Sequence, residues 1–441
     1  MKTRKLALAL AACAPFAAHA TDGYFSHGYG MEAKGMGGAS IAVTGSAFGG
    51  ANNPATIAFA GNQWALGVDL FSPWRKAERT DAPAQTGLGG SADSGSNYFL
   101  IPEFAFSRVA TPDVTYGITV YGNGGMNTDY PGGSLPAQSA CQMFNPGQQG
   151  YNLLCGSGRL GVDLSQLIVA PALAWQLAPG HSIGIAPLFS YQRFKAEGLQ
   201  AFDNPGFSST PGNVTNQGYD SSTGWGARVG YYGRLGPQLA VGITYATKMS
   251  MGSLDKYEGL FAEQGGFDIP SHYGIGFAFD ATPEWQVALD YERINYSDVA
   301  SVNNPSANVL MCPAGQSANC LGGSNGGGFG WRDIDVWKLG VQYKMSPTVT
   351  LRAGYNHSDN PITPADVTFN ILAPGVMREH LTLGGTWALD RDSAVTGAFM
   401  YAFSNSVTGS SLFNAFAPGL AMQEKIQMYE WSLGVQYQRR F

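Results

Sequence analysis

The chain closes on Tyr429-Glu430-Trp431-Ser432-Leu433-Gly434-Val435-Gln436-Tyr437-Gln438-Arg439-Arg440-Phe441, with large apolar residues on nearly every odd position and small or polar ones on every even position. Such period-two alternation makes a strand with one greasy and one wet face. In a water-soluble fold the greasy face would need an apolar partner layer. A strand of this kind ending on Phe fits the wall of an outer-membrane β-barrel, where lipid covers one face and the other lines a watery interior. Arg439 interrupts the alternation, and near the membrane edge its long stem can reach the headgroups.

The same alternation recurs over roughly 64–71, 97–107, 113–122, 163–177, 181–195, 223–234, 238–250, 272–280, 284–296, 331–345, 348–357, 378–389, 393–404 and 428–441. The expected fold class is therefore all-β: a transmembrane antiparallel β-barrel of about 14 strands, an even number as bacterial barrels require. Short breaks such as 281–283, 346–347 and 390–392 read as periplasmic turns, and long ones such as 123–162, 297–330 and 405–427 as extracellular loops. No run of about 18 uncharged apolar residues offers a spanning helix, and lipid does not satisfy an open sheet edge, so the sheet has to close.

Composition agrees. Charged residues are 13% of the chain, about half the share in soluble domains. Parity sorts the remaining charges. Trp285, Val287, Leu289, Leu381, Leu383, Trp387, Phe399 and Tyr401 fall on the lipid face, whereas Arg228, Lys248, Asp290, Glu292, Lys338, Arg352, Arg378 and Glu430 fall toward the lumen.

The N-terminus reads as an export signal. Lys2, Arg4 and Lys5 precede the apolar run Leu6–Ala12, and Ala18-His19-Ala20 is a cleavage site. Leu10-Ala11-Ala12-Cys13 also resembles a lipoprotein box, which would place a lipid on Cys13. The expected divisions are a signal peptide over 1–20, a Gly- and Ala-rich plug over 21–62 and a barrel over 63–441. Removing 1–20 takes away three positive charges and no negative ones, moving the formal charge from -6 to -9. That argues against nucleic acid as a partner class.

Cys141 and Cys155, and Cys312 and Cys320, form two local pairs in Gly/Pro/Asn/Ser-rich segments, as disulfides stapling exposed loops would. Neither pair has C-x-x-C spacing or a neighbouring His, so no metal site is expected. No G-x-S-x-G, H-E-x-x-H or phosphate-binding glycine loop is present, so neither enzymatic activity nor a cofactor is expected.

In an ordered set of stretches the chain resembles the FadL/TodX family of outer-membrane transporters of hydrophobic compounds. Asn53-Pro54-Ala55 in the plug matches the family's NPA hatch motif. Tyr121-Gly122-Asn123-Gly124-Gly125-Met126-Asn127 looks like its kinked third strand. Stretches such as Phe267-Asp268-Ile269-Pro270, Leu351-Arg352-Ala353-Gly354-Tyr355 and Asp359-Asn360-Pro361-Ile362 follow in order. The resemblance implies a 14-stranded barrel with an N-terminal hatch in its lumen. Substrate would land in an extracellular groove, pass to a lumenal pocket and leave sideways through the strand kink. Independently, Gly122, Gly124 and Gly125 interrupt a good strand, which marks a bulge or bend.

The resulting expectation is a monomeric channel in the Gram-negative outer membrane, surrounded by lipid and lipopolysaccharide, for passive uptake of hydrophobic small molecules. Long-chain fatty acids come first, with Arg228, Lys248, Lys338, Arg352 and Arg378 as carboxylate-binding candidates, since an oily pocket needs a cation or several N–H donors to hold an acid. The alternatives are uptake of toluene-like hydrocarbons, or a surface adhesin or antigen using the long loops without transport.

Overall fold

The computed structural model describes residues 22–313, 315–416 and 419–441. The signal peptide, Cys13 and the expected first mature residue, Thr21, lie outside the described residues.

Fourteen long strands run antiparallel around a closed wall: β1 Gln63–Thr80, β2 Phe99–Thr111, β3 Val114–Asn127, β4 Gly161–Ala178, β5 His181–Glu197, β6 Asp220–Arg234, β7 Leu239–Ala246, β8 His272–Asp280, β9 Trp285–Ile294, β10 Ile334–Lys344, β11 Val349–Ser358, β12 Glu379–Ala388, β13 Ser393–Ser410 and β14 Gln423–Arg440. The seam is the pairing of the last strand with the first, in register from Gln63–Arg440 to Thr80–Gln423. Phe441 secures its lower end, its N–H donating to the Asn62 carbonyl at 3.1 Å and its ring stacking on Phe106. Outward positions carry an apolar belt in which Leu66, Leu383, Trp387 and Leu433 are exposed, as lipid-facing residues of a barrel must be.

β1, β13 and β14 are each 18 residues long, whereas β7 has eight. β1 reaches nine residues past the Phe71 end expected from its pattern, and β14 starts five residues early. The reason is physical. Beyond Ser72, the outward residues of β1 are Trp74, Lys76, Glu78 and Thr80, and on β14 they are Gln423, Lys425 and Gln427. These parts stand above the lipid, so the greasy alternation fades while the ladder continues.

Turns at the end where β1 begins are short, and the segments at the other end are long. The long loops fold over the lumen rather than splaying outward. Phe144, Phe202, Phe207, Phe369, Phe413 and Phe416, drawn from four loops, pack with ring centroids 4.9 to 6.4 Å apart. Both expected disulfides are formed there, Cys141–Cys155 and Cys312–Cys320.

Candidate functional site

Residues 22–62 contribute no barrel strand and are almost entirely buried inside the wall. Their small side chains let the backbone fold tightly, which leaves buried N–H and C=O groups in need of partners. Inward-facing polar residues of the wall supply them. Glu103 Oε2 on β2 accepts from Gly30 N at 3.1 Å, Gln436 Oε1 on β14 from Met31 N at 3.0 Å, and Thr382 Oγ1 on β12 from Gly37 N at 2.8 Å. Asp290 Oδ2 on β9 accepts from both Ser40 N and Ile41 N, at 2.7 and 2.9 Å. Lys34 stands between Asp69 of β1 and Glu103, with Nζ–O distances of 2.9 and 2.6 Å, and all three side chains are buried.

Asn53 ties the far end of this segment down. Its Oδ1 accepts from Ala55 N at 3.1 Å, capping the 3-10 turn Pro54–Phe59 that Pro54 opens. Its Nδ2 donates to the Ile41 carbonyl at 2.8 Å and to the Tyr231 carbonyl of β6 at 2.9 Å. The turn lies so close to the wall that a Cβ at Gly230 would stand 1.9 Å from Asn53 Oδ1.

At the other end of the segment the wall itself is irregular. β3 pairs with β4 continuously except between Gly122 and Gly124, where Asn123 is extra and the register slips. On its other side, the β2–β3 ladder runs from Thr111–Val114 only as far as Phe104–Val120. Above that point Phe99–Glu103 are paired with β1 and Tyr121–Asn127 with β4. The edge of β3 freed in this way is occupied from inside. Phe25 forms a bridge with Gly124, Ser26 N donates to the Asn123 carbonyl at 3.1 Å, and Gly125 N donates to the Tyr24 carbonyl at 3.2 Å. Only glycine permits this approach, because a Cβ at Gly124 would lie 1.7 Å from the Tyr24 oxygen. Beside the bulge, Tyr24, Phe71, Met126, Trp331 and Met428 enclose a cavity of about 20 Å³, and Arg75 also lines it.

A second apolar space lies under the loops. Phe194, Phe202, Phe261, Phe329 and Phe369 dominate the lining of a crevice of about 40 Å³, in which Ser301 is the one polar side chain. Rings join the two spaces. Phe261 and Phe267 have centroids 4.8 Å apart, Phe267 and Tyr24 6.3 Å, and Tyr24 and Trp331 5.9 Å. Two polar ends on this column are satisfied: Tyr296 OH donates to the Asp22 carbonyl at 2.5 Å and Trp331 Nε1 to Asn370 Oδ1 at 2.6 Å.

The profile of the outer-membrane transport proteins of the OMPP1/FadL/TodX type matches residues 152–441. The chain belongs to this family. Among solved structures, the Pseudomonas putida toluene transporter TodX superposes with a TM-score of 0.68 at 19% identity, over 94% of this chain and 99% of that one. A Pseudomonas aeruginosa FadL homologue gives 0.67 at 13% identity, over 95% and 100%. The Ralstonia pickettii toluene transporter TbuX gives 0.62 at 16%, over 94% and 99%. At these identities the likeness is one of fold. No curated protein sequence matches the chain. As a FadL/TodX-type protein, it is an outer-membrane transport channel for hydrophobic substrates rather than an enzyme.

Within this FadL/TodX barrel the five cations singled out from parity have different fates. Lys338 pairs with Glu292 at 2.6 Å and lies 3.9 Å from Asp22. Arg352 pairs with Glu32 of the plug at 3.7 Å and donates to Gln342 Oε1 at 2.8 Å. Lys248 is exposed rather than lumenal, because β7 ends at Ala246 and its alternation no longer governs position 248; it lies 3.0 Å from Asp268. Arg378 is exposed rather than lumenal, because it precedes β12 and the strand's alternation does not yet govern it. Arg228 is buried with no carboxylate partner among the described residues; it donates to the Ala51 carbonyl and to Tyr121 OH, and meets His272 Nε2 at 3.0 Å. It acts as a fastener of the plug.

Two groups escaped the sequence reading. Lys34 anchors the plug through Asp69 and Glu103, whose partnership no local pattern reveals. Arg75 lies on the inward parity of β1, but beyond the point where the strand's greasy alternation stops. Continuing the odd positions Asp69 and Phe71 past Pro73 would have found it.

Proposed function

We propose that the protein carries long-chain fatty acids passively across the outer membrane by a lateral route. Substrate enters the Phe-lined crevice under the loops, follows the aromatic column of Phe261, Phe267, Tyr24 and Trp331, and leaves through the wall at the β3 bulge. The single observation that carries this reading is the interruption of the β2–β3 ladder above Phe104–Val120, backed by a small cavity and bridged from inside by residues 24–26. A water-filled pore would favour polar solutes, whereas a wall opening delivers a greasy one straight into lipid.

The plug segment 21–62 is assigned the role of hatch, with Asn53-Pro54-Ala55 as its turn. The second reading, uptake of monoaromatic hydrocarbons, is favoured by the crevice, whose lining is rich in Phe and holds no cation.

The test is uptake of oleate and of toluene into liposomes bearing the purified barrel, with and without deletion of Asn123. The deletion restores an unbroken β3–β4 register. Uptake by the native chain that falls at least about tenfold in the deletion variant, the span of 1.4 kcal/mol, supports the lateral route. Unchanged uptake removes it, and native uptake of toluene without oleate replaces the fatty-acid reading with the hydrocarbon one.

A further inference from the structure

Among the buried cations on the inner wall, Arg75 differs from Arg228, which also lacks a carboxylate and a partner for its Nε, in lining the cavity beside the β3 bulge instead of holding the plug backbone. Its side chain is 5% exposed, and no Asp or Glu among the described residues lies within ion-pair distance of it. One guanidinium nitrogen, Nη2, donates to Ser94 Oγ at 3.2 Å and to the Ser96 carbonyl. Its Nε has no partner among the described residues. A buried guanidinium with an unused N–H is rare because it forgoes both hydration and pairing. The cavity beside it, next to the β3 bulge, is walled mainly by Tyr24, Phe71, Met126, Trp331 and Met428, with Asn127 as its second polar side chain.

Lys34, Arg79, Lys338 and Arg352 are all held by carboxylates of the protein itself. Arg228 holds the backbone of the plug. Two acids act on Arg75 from a distance, Glu430 and Asp129. Asp129 is already paired with Arg159. Glu430, on β14, is the register partner of Pro73. Its oxygens accept no hydrogen bond among the described residues, and its nearest ionisable neighbour is His380, 3.7 Å away, rather than Arg75. Arg75 therefore keeps its donor capacity toward the cavity.

We propose that Arg75 is the head-group site of the exit cavity: its guanidinium holds the carboxylate of an amphipathic monocarboxylic acid while the acyl chain lies against Phe71, Met126 and Met428 at the bulge. The proposal rests on the lateral route described above and fixes the substrate class at its last station. Charge-assisted N–H···O bonds in an apolar surround are strong and directional, so the site selects acids over neutral molecules of the same tail. At about 20 Å³ the cavity admits little more than one water, so residues 24–26 must leave the β3 edge before an acyl chain enters.

The experiment compares oleate with oleyl alcohol, which shares its tail and lacks its charge, in equilibrium binding to the detergent-solubilised barrel and in liposome uptake. In Arg75→Gln, oleate binding weakens at least about tenfold, as loss of a charge-assisted bond requires, while oleyl alcohol changes by no more than about threefold, within the span of a small apolar contact. Arg75→Lys restores part of the oleate binding. Heat-modifiable migration of the Arg75→Gln barrel on gels, with its retained oleyl alcohol binding, separates loss of the site from loss of the fold. Equal losses for both ligands, or no loss for either, overturn the site. If the native barrel takes up neither oleyl alcohol, toluene nor oleate, the uptake reading itself falls. If it takes up the neutral ligands and Arg75→Gln leaves the oleate-to-alcohol ratio unchanged, only the head-group site falls.

Discussion

The lower and upper halves of the lumen are filled by opposite means. Below, the plug is fastened by directional contacts: Lys34 between two carboxylates, Asn53 with three hydrogen bonds, and Asp290 accepting two backbone N–H groups. Above, the loop cap is fastened by rings packed on rings, with Phe144, Phe202, Phe207 and Phe413 in mutual contact. Directional contacts specify one arrangement and fail sharply when a partner is lost. Apolar packing tolerates exchange of shape. On the proposed reading, the plug serves as a floor that blocks polar solutes and the loop cap as a roof that yields to many hydrocarbon shapes.

The sharpest way to break this comparison is Lys34→Met. It leaves Asp69 and Glu103 buried without their cation, a loss of about 3–5 kcal/mol for such a network. The plug should loosen while the wall, held by its own ladders, stays closed. Planar-bilayer conductance to ions should rise markedly, with heat-modifiable migration on gels unchanged. A variant that neither conducts more nor loses hydrophobe uptake would mean the floor is held elsewhere.

Asn53→Ala comes next. It removes three hydrogen bonds at roughly 1 kcal/mol each and strands the Ile41 carbonyl. Uptake should fall while barrel abundance in the outer membrane is kept, since the turn contributes little to the wall. Disappearance of the protein from the membrane would show the Asn53-Pro54 turn to be needed for assembly instead.

The same contrast explains how far the sequence could be read. The wall was legible because period-two alternation is local: fourteen runs match fourteen strands, and both cysteine pairs fall in loops. Legibility ended where lipid ended. Past Ser72 the outward residues of β1 become Trp74, Lys76 and Glu78, so the greasy pattern stops before the strand does and Arg75 was passed over. Arg378 lies just outside β12, where its carbonyl already accepts from Ser358 N but the strict alternation of side chains has not begun, so parity assigned it to the lumen and the structure finds it exposed. Ion partners such as Lys34 with Glu103 join distant segments that no spacing rule connects. The bulge could be suspected from Gly122, Gly124 and Gly125, yet the residue that slips the register is Asn123 between them. The loop cap was hidden for the reason it works: its contacts are non-local and carry no pattern.

The disulfides sharpen the upper side of the comparison. Chain-entropy arguments give about 3 kcal/mol for closing a loop of some 15 residues and, by the same logarithmic dependence, about 0.6 kcal/mol less for one half as long. Sequence separations are 14 for Cys141–Cys155 and 8 for Cys312–Cys320. Replacing both cysteines of the first pair by Ser should therefore accelerate proteolytic nicking of its loop more than the same change in the second. Mass mapping without reduction should find both native links. Free thiols at all four positions would remove the staples from the account.

The smallest effect is expected where packing alone acts. Phe329 lines the crevice and lies within 6.4 Å of Trp331, centroid to centroid, at the head of the aromatic column. Phe329→Leu keeps the site apolar and changes its volume only modestly, so the cost is about 1 kcal/mol, or roughly fivefold in affinity. Uptake of hydrophobic ligands should therefore fall by no more than that, and larger ligands should be favoured over smaller ones as the crevice widens. The plug contacts are untouched, so ion conductance should stay at the native level. A Phe329→Leu barrel that loses uptake altogether would show the roof to be as exacting as the floor, and selectivity would then have to be sought in the shape of the crevice rather than at the exit beside Arg75.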